Sequence, residues 1–262
     1  MESKEGVDVS LDTSISTKQS SVPEHADAAS ASMEHEKHSS ANADVKSSER
    51  ISLFQKQPEL PGPRSACVLF LNGFPGVGKY AIARVLKSVW VGSRLIHNHL
   101  LIDPVEAIIP GRGPAHHTLR RQFRRVAFDA LKQETSLDSA IIMTSCAADT
   151  PQDREVFAEY VEIARVRKIP FIAVNIICDE ETNAKRLRSR ERVDESGIGK
   201  TKLVDTKALS SLRKDYKLLN RANMTREAED VEFYHLDLDT SDLSVQAASV
   251  SIASFLRDEV FC

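Results

Sequence analysis

Residues 73–79, Gly-Phe-Pro-Gly-Val-Gly-Lys, have the composition and spacing of a phosphate-binding loop. The glycines let the backbone turn tightly and direct amide N–H groups inward, and Lys79 supplies a mobile cation for the β and γ phosphates. An apolar run at 66–71 precedes the loop and an amphipathic stretch follows it, which argues against a simple glycine-rich turn with a surface lysine. The sequence predicts a nucleoside triphosphate site. Its binding residues are Gly73, Phe74, Pro75, Gly76, Val77, Gly78, Lys79 and Tyr80.

The residue after the loop lysine departs from the usual pattern. Ser or Thr is usual there because the hydroxyl is a ligand of Mg²⁺, whereas this chain has Tyr80. A phenol oxygen lies farther from the backbone, at the end of a rigid ring. The metal must then be held by water and other side chains, or turnover is weak or absent.

Polar residues follow the second predicted strand, RLIHNH at 94–99. Side-chain alternation predicts His97 and His99 on one face of the strand and Asn98 on the other. Parallel α/β sheets bind ligands at the carboxyl ends of their strands, so His99 or Asp103 is a candidate general base for an acceptor hydroxyl. Alternatively, the histidines are hydrogen-bonded residues at the edge of the core, and Asp103 is a helix cap before the proline that follows it.

The third predicted strand ends without a carboxylate. The apolar run at 140–143 continues into Thr-Ser-Cys at 144–146, where many P-loop proteins place an acid that orients Mg²⁺ through water. Asp149, just beyond, is a candidate for that water-mediated role. Its position beside Thr150 equally suits a helix cap.

An arginine-rich stretch with almost no apolar residues follows the fourth predicted strand. Its arginines are Arg186, Arg188, Arg190 and Arg192. Two glycines, Gly197 and Gly199, follow them. This composition suits a mobile lid whose guanidinium groups close over a transferring phosphoryl group. The alternative is a charged, solvated helix.

The helical stretch at 115–133 carries four arginines around an apolar stripe. The stripe consists of Leu119, Phe123, Val126, Ala127 and Ala130. Helical geometry places Arg121 and Arg125 opposite the stripe, in solvent, and Arg120 at its border. Arg120 is therefore a candidate for holding an anionic acceptor.

Short continuous apolar runs alternate with amphipathic stretches from Ala66 onward, which is typical of a parallel sheet covered by helices on both faces. The predicted central strands are 66–71, 140–143 and 171–178, and the predicted outer strands are 94–99 and 232–238. The predicted helices are 79–91, 115–133, 151–168, 181–192, 206–222 and 245–258. Thr150 before Pro151 predicts a capped helix start.

The first part of the chain differs from the rest in composition. Residues 1–62 are rich in Ser, Ala, Glu, His and Lys and predict a disordered, low-complexity tail, and residues 63–262 predict one domain. The net charge of the chain is −3; ten acids and five bases lie in residues 1–50, which leaves +2 for the remainder. A near-neutral domain argues against a nucleic-acid-binding surface. The four scattered cysteines, the absence of a long apolar run and an acidic N-terminus favour the cytoplasm, with the nucleus as an alternative.

Four segments give the chain a resemblance to the nucleoside-kinase-like branch of P-loop proteins, which includes shikimate, gluconate and adenylate kinases and chloramphenicol phosphotransferase. The segments are GFPGVGKY, IHNHLLIDP, RLRSRERV and HLDLDTSDLS. In NGFPGVGKYAIARVL, NHLLIDP, CDEETNAKRL and GKTKLVD the chain is similar to fungal and bacterial proteins labelled ATP-binding or AAA-domain proteins. No pattern typical of AAA remodelling enzymes accompanies these segments.

This resemblance implies a three-layer α/β P-loop fold with a five-stranded parallel sheet in the order 2-3-1-4-5. It implies ATP and Mg²⁺ as ligands and transfer of the γ-phosphoryl group to a small molecule. It assigns the lid role to Arg192 first and to Arg186 second. The catalytic aspartate that follows the second strand in chloramphenicol phosphotransferase-like proteins is replaced here by Asn98 or a flanking histidine.

Three functions fit these features. The first is a small-molecule kinase, in which Lys79 and the loop bind ATP, Arg186 and Arg192 close over the phosphates, and His99 or Asp103 activates the acceptor. The second is a nucleotide-binding sensor or scaffold with little turnover, suggested by Tyr80. The third is an NTPase that hydrolyses without an acceptor. ATP is favoured over GTP because no NKxD-type motif is present.

Overall fold

A computed structural model describes residues 65–134, 140–189 and 202–262 of the chain. The predicted tail at 1–62 lies outside the described residues. So does most of the predicted lid, including Arg190 and Arg192.

Five parallel strands form one sheet in the order β2-β3-β1-β4-β5. The strands are β1 Val68–Asn72, β2 Arg94–His97, β3 Ile141–Ser145, β4 Phe171–Ile177 and β5 Phe233–Asp239. The predicted order 2-3-1-4-5 is confirmed. The two outer strands are the two whose sequences are least uniformly apolar, as predicted, because a strand that is buried on both faces needs apolar residues at every position.

Eight α-helices are present in the described parts of the chain. They are α1 Lys79–Val89, α2 His99–Ile108, α3 Pro114–Gln133, α4 Pro151–Arg167, α5 Glu180–Leu187, α6 Thr206–Asp215, α7 Arg221–Glu227 and α8 Val245–Phe255, which continues into a π-helical turn at Leu256–Val260. None of the described helices is long and apolar enough to cross a membrane.

Two hydrophobic clusters cover the two faces of the sheet. On one face, Leu69 and Leu71 of β1 pack with side chains of α1, α6 and α8. On the other face, Val68 and Phe70 pack with side chains of α3, α4 and α7. The alternation of β1 side chains between the clusters explains why the four apolar residues of this strand are buried.

Helix α4 begins as predicted. The hydroxyl of Thr150 accepts a hydrogen bond from the backbone N–H of Asp153, and Pro151 occupies the first helical position. The side chain of Thr150, and not that of Asp149, is therefore the cap of this helix.

Three predicted elements differ from the structure. Strand β2 ends at His97, and the next residues form helix α2, which the sequence prediction missed. Pro104 lies inside α2, so Asp103 is not a cap before it. The predicted helix at 206–222 is two helices, because residues 216–220 leave the helix and Ala148 forms a bridge with Leu218.

The predicted apolar stripe of α3 is also wrong. Val126 is 72% exposed and Phe123 is 36% exposed. The buried residues of α3 are His116, His117, Arg120, Arg124, Phe128 and Leu131. This helix therefore turns a largely polar face inward, and hydrogen bonds such as that from Arg124 Nε to Glu159 at 2.6 Å compensate for its burial.

Candidate functional site

The predicted phosphate-binding loop, residues 73–79, leaves the end of β1 and enters α1. Gly76 and Gly78 have φ angles of 87° and 102°, in the region that side chains disfavour. A Cβ atom at Gly73 would lie 2.5 Å from the carbonyl oxygen of Ile176. At Gly78, by contrast, a Cβ atom would meet nothing within 4 Å, so the backbone at the start of α1 borders open space. A phosphate group fits such a space at a helix N-terminus.

Lys79 folds back over the loop from the first residue of α1. Its Nζ donates hydrogen bonds to the carbonyl oxygens of Gly73 at 2.5 Å and Phe74 at 2.8 Å. The ammonium group therefore lies beside the loop, where phosphate oxygens can replace these carbonyl groups as acceptors.

Helix α5 braces the loop from its outer side. Asn183 donates to the carbonyl oxygen of Pro75 at 2.8 Å and accepts from Nη1 of Arg213 at 2.9 Å. The Arg213 guanidinium also lies 5.5 Å from the centre of the Phe74 ring. These contacts fix the loop backbone and thereby preorganise it for a ligand.

Arg186, a predicted lid residue, makes its described contacts on this outer side. It donates to the carbonyl oxygens of Val77, Thr240 and Leu243 and to the hydroxyl of Thr240, at 2.6–3.3 Å. The guanidinium thus joins the loop to the segment between β5 and α8. This network favours a positioning role over contact with the transferring phosphoryl group. The role of Arg192 stays a prediction, because this residue lies outside the described part of the chain.

Tyr80 links the loop to the end of β2. Its ring packs edge-to-face against His97, with the ring centres 4.8 Å apart. Burial lowers the pKa of His97, and the nearby Lys202 lowers it further. His97 is therefore neutral at neutral pH, which suits its contact with an aromatic ring.

His99 and Asp103 form a hydrogen-bonded pair on α2. Nδ1 of His99 lies 3.2 Å from Oδ1 of Asp103, and both side chains are about one quarter exposed, at 25% and 24%. Burial lowers the pKa of His99 to about 4, although the Asp103 carboxylate opposes this shift. At neutral pH the imidazole is thus neutral and donates from Nδ1 to Asp103, which leaves Nε2 as the basic nitrogen. The two residues predicted as alternative bases form one unit.

Asn98, at the junction of β2 and α2, faces Arg120. Its Oδ1 accepts a hydrogen bond from Nη2 of Arg120 at 3.1 Å, and its backbone N–H donates to the hydroxyl of Thr144 at 3.2 Å. Arg120 is 7% exposed. The predicted candidate for holding an anionic acceptor is therefore a buried cation beside the end of β2, in contact with Asn98.

Lys202 is a site residue that the sequence analysis missed. Its Nζ lies 5.4 Å from the centre of the Tyr80 ring. It lies in the segment GKTKLVD, which was noted only for its resemblance to other proteins, and no spacing rule connects it with the loop 120 residues earlier. Only the fold brings Lys202 and Tyr80 together.

The residues around the loop do not fit the usual Mg²⁺ site of a P-loop. Tyr80 places an aromatic ring against His97 where a short hydroxyl would bind the metal. Among the residues that the structure describes, no group of three His, Cys, Asp or Glu side chains could hold a metal ion. The carboxylate of Asp149 already accepts hydrogen bonds from three side chains. The donors are Arg154, Asn220 and Asn223. These bonds favour a structural role for Asp149.

The strand order and the glycine-rich loop after the central strand define the fold. This is a P-loop kinase-like fold. No family model matches the sequence, and no curated protein matches it.

Solved kinase structures resemble this one. One is shikimate kinase from Acinetobacter baumannii, with 16% identity and a TM-score of 0.43, covering 80% of this chain and 98% of the other. A second is a sugar kinase from Janibacter, with 14% identity and a TM-score of 0.47, covering 74% of this chain and 96% of the other. A third is a gluconokinase from Sinorhizobium meliloti, with 13% identity and a TM-score of 0.40, covering 76% of this chain and 99% of the other.

Proposed function

We propose that this chain binds ATP at the loop and transfers its γ-phosphoryl group to a hydroxyl group of a small molecule. The observation that carries the proposal is the contact between Tyr80 and His97, because it joins the phosphate-binding loop to the end of β2. His99, two residues after His97, begins the helix that holds the His99–Asp103 pair. This contact supports a phosphate-binding loop and a base that lie near each other at the carboxyl edge of the sheet.

The His99–Asp103 pair supports general-base catalysis at Nε2 of His99. Asp103 fixes the tautomer by accepting from Nδ1, and the neutral imidazole accepts the proton of the acceptor hydroxyl. The acceptor oxygen then forms a bond to the γ phosphorus while the bond to the β–γ bridging oxygen breaks. ADP leaves with that electron pair, and the proton stays on His99 until it is released to solvent.

Lys79 supports the same reaction through charge. When phosphates bind at the loop, the Lys79 ammonium exchanges the carbonyl oxygens of Gly73 and Phe74 for β and γ phosphate oxygens. A charged acceptor oxygen replaces a neutral one, so the contact becomes stronger. Substitution of Lys79 therefore weakens both nucleotide binding and transfer.

A nucleotide sensor with little turnover is the second candidate function. Tyr80 favours it, because the ring occupies the position of the usual metal-binding hydroxyl. Tyr80→Thr separates the two candidates. A large gain in turnover would indicate a degenerate site and favour the sensor, whereas loss or no change would indicate that the tyrosine has its own part in the kinase site.

Calorimetry with ATP on the full chain is the first test. The wild type is expected to bind, and Lys79→Ala is expected to weaken binding at least about tenfold, because it removes a charge-assisted contact to phosphate. Lys87→Ala, on the exposed last turn of the same helix, is the matched control. Absence of wild-type binding, or equal binding by Lys79→Ala, would contradict the proposed site.

ADP formation separates the possible reactions. It should be measured without an acceptor and with a panel of hydroxyl-bearing metabolites. Stimulation by one compound, together with its phosphorylated product, supports the kinase. Acceptor-independent phosphate release indicates an NTPase, and binding without any turnover indicates the sensor.

A further inference from the structure

Two cationic side chains lie near the aromatic ring of Tyr80. Nζ of Lys202 lies 5.4 Å from the ring centre, and the guanidinium carbon of Arg84, one helical turn after Tyr80, lies 5.9 Å from it. Both distances are within the range at which the negative face of an aromatic ring attracts a cation. Arg84 is exposed on α1, whereas Lys202 is partly buried. Lys202 is therefore the more buried of the two cations.

The residues after Lys202 fix the backbone on its C-terminal side. The next residue, Leu203, is 8% exposed and belongs to the hydrophobic cluster that also contains α1. Asp205 caps helix α6 by accepting a hydrogen bond from the backbone N–H of Lys207 at 2.8 Å. A core contact directly after Lys202, followed by a helix start, thus anchors the chain on the C-terminal side of Lys202.

Lys202 lies near the residues at the end of β2. The ring that it contacts belongs to the residue directly after Lys79, and the same ring packs against His97. The positive charge of Lys202 also lowers the pKa of both His97 and His99. The ammonium is therefore close to the loop and to the two histidines at once.

We infer that Lys202 is a second phosphate-binding cation of the nucleotide site, and that the Tyr80 ring is the platform that positions it. In loops with Ser or Thr after the lysine, a hydroxyl holds a divalent cation beside the phosphates. Here an aromatic ring at the same position holds an ammonium group. This inference rests on the proposed nucleotide site and names the group that compensates the phosphate charge there.

The chemistry of the ligand follows from this arrangement. In this inference Lys79 of the loop and Lys202 of the segment before α6 face the same phosphates, so the pair suits a ligand with several negative charges, such as a triphosphate. The inference also explains why tyrosine is compatible with the site. The aromatic face is the feature that is needed, and the phenol oxygen is not.

Calorimetry of ATP and of inorganic tripolyphosphate, with EDTA and with added Mg²⁺, tests the inference on the full chain. In EDTA, Lys202→Ala is expected to bind about tenfold more weakly than the wild type, and Lys202→Arg within about threefold of it, because Arg keeps the charge. Lys207→Ala, which removes an exposed lysine from the start of α6, is the matched control and should bind as the wild type does. Tripolyphosphate should respond as ATP does, since the inferred contact is to phosphate.

Two substitutions of Tyr80 separate the ring from the hydroxyl. Tyr80→Phe keeps the aromatic face and is expected to bind within about threefold of the wild type, whereas Tyr80→Leu should weaken binding about as much as Lys202→Ala. The double variant Tyr80→Leu/Lys202→Ala should be little weaker than either single variant, because both remove the same contact. Thermal unfolding identifies a variant that fails to fold. If Tyr80→Leu fails to fold, the Lys202 variants still test whether Lys202 binds phosphate.

The outcomes separate this inference from the proposed function. Wild-type binding that is lost in Lys79→Ala but unchanged in Lys202→Ala overturns the inference and leaves the nucleotide site standing. Equal losses in Tyr80→Phe and Tyr80→Leu also overturn it, since the phenol oxygen would then be the active group. Absence of ATP binding by the wild type overturns both.

Discussion

Nδ1 of His99 lies 3.2 Å from Oδ1 of Asp103, one turn apart on a helix that begins directly after β2. The pair exists because residues four apart on a helix face the same side. On an extended strand, as the sequence analysis had it, His99 would share a face with His97, and Asp103 would lie beyond reach. The change from strand to helix at residue 98 therefore converts two separate candidates into one acid–base unit.

The neutral state of His99 predicts acid sensitivity. Its pKa is lowered from 6.5 to about 4, so between these values the unfolded chain binds a proton that the folded chain does not. Stability from this group is complete above about pH 6.5 and is lost as the pH falls towards 4. The pKa of His97 is also lowered, so this residue adds to the loss of stability at low pH.

Urea unfolding as a function of pH measures this effect. Between pH 7 and pH 5 the wild type should lose about 2 kcal/mol more unfolding free energy than His99→Gln, a neutral substitute that does not titrate. Equal losses in the two proteins would show that His99 is not held neutral by its surroundings.

Gly78→Ala is expected to abolish nucleotide binding with only a modest loss of stability. The new methyl group would enter the open space at the start of α1, where the phosphates are expected, and the φ angle of 102° adds strain of about 1–2 kcal/mol. Gly111→Ala is the matched control, because Gly111 has a φ angle of 87° and equally open surroundings but lies outside the loop. Calorimetry should show normal ATP binding by the control; loss in both variants would point to strain alone.

Arg186→Ala is expected to destabilise the protein by about 2 kcal/mol, because several carbonyl oxygens lose a charged hydrogen-bond donor. Arg186→Lys should rescue little, since one ammonium cannot reproduce the planar fork that joins Val77 to the segment before α8. Arg188→Ala, an exposed neighbour on the same segment, should cost less than about 0.5 kcal/mol. A stable Arg186→Ala variant that binds ATP but has lost turnover would instead support the predicted lid role.

The central strands and the loop were predictable because their signals are local. An apolar run, a glycine-rich turn and an amphipathic helix stand next to each other at residues 66–91, and each predicts the others. Burial on both faces then makes β1, β3 and β4 predominantly apolar. Little long-range information is needed to place Lys79 at the edge of the sheet.

The other half of the site depends on contacts that are distant in sequence. Lys202 meets Tyr80 across more than 100 residues, and Asn183 reaches the loop carbonyl of Pro75 from a different helix. The proline after Asp103 suggested a helix start there, yet Pro104 is the sixth residue of α2, where its missing N–H removes one hydrogen bond of the helix. These features follow from tertiary packing, and no pattern within the segments encodes them.

Helix α3 shows how a polar core misleads a helical wheel. The prediction placed Val126 in the core, but the buried face carries Phe128 together with paired arginines. Phe128→Ala is therefore expected to cost about 3–5 kcal/mol, and Val126→Asn less than about 0.5 kcal/mol. Equal costs in denaturant unfolding would contradict this orientation of the helix.

The contact between Asn98 and Arg120 yields a prediction about the missing aspartate. Asn98→Asp would restore the carboxylate that the resemblance leads one to expect after β2. The guanidinium of Arg120, at 3.1 Å from the present amide oxygen, would hold this carboxylate in its charged form and depress its pKa. Because the guanidinium would hold this carboxylate in an ion pair, we expect the variant to be somewhat more stable and no faster in ADP formation.

A substitution in the His99–Asp103 pair tests which residue is the base. His99→Gln should lower ADP formation at least about 100-fold in both the wild-type and the Asn98→Asp backgrounds, while ATP binding measured by calorimetry persists. If Asn98→Asp instead restored turnover to a His99→Gln protein, position 98 and not the His99–Asp103 pair would be the place of the base. The asparagine would then be the reason for any low activity of the natural chain. If turnover remains low in the double variant, proton transfer depends on α2, and the amide of Asn98 serves to hold Arg120 at the end of β2.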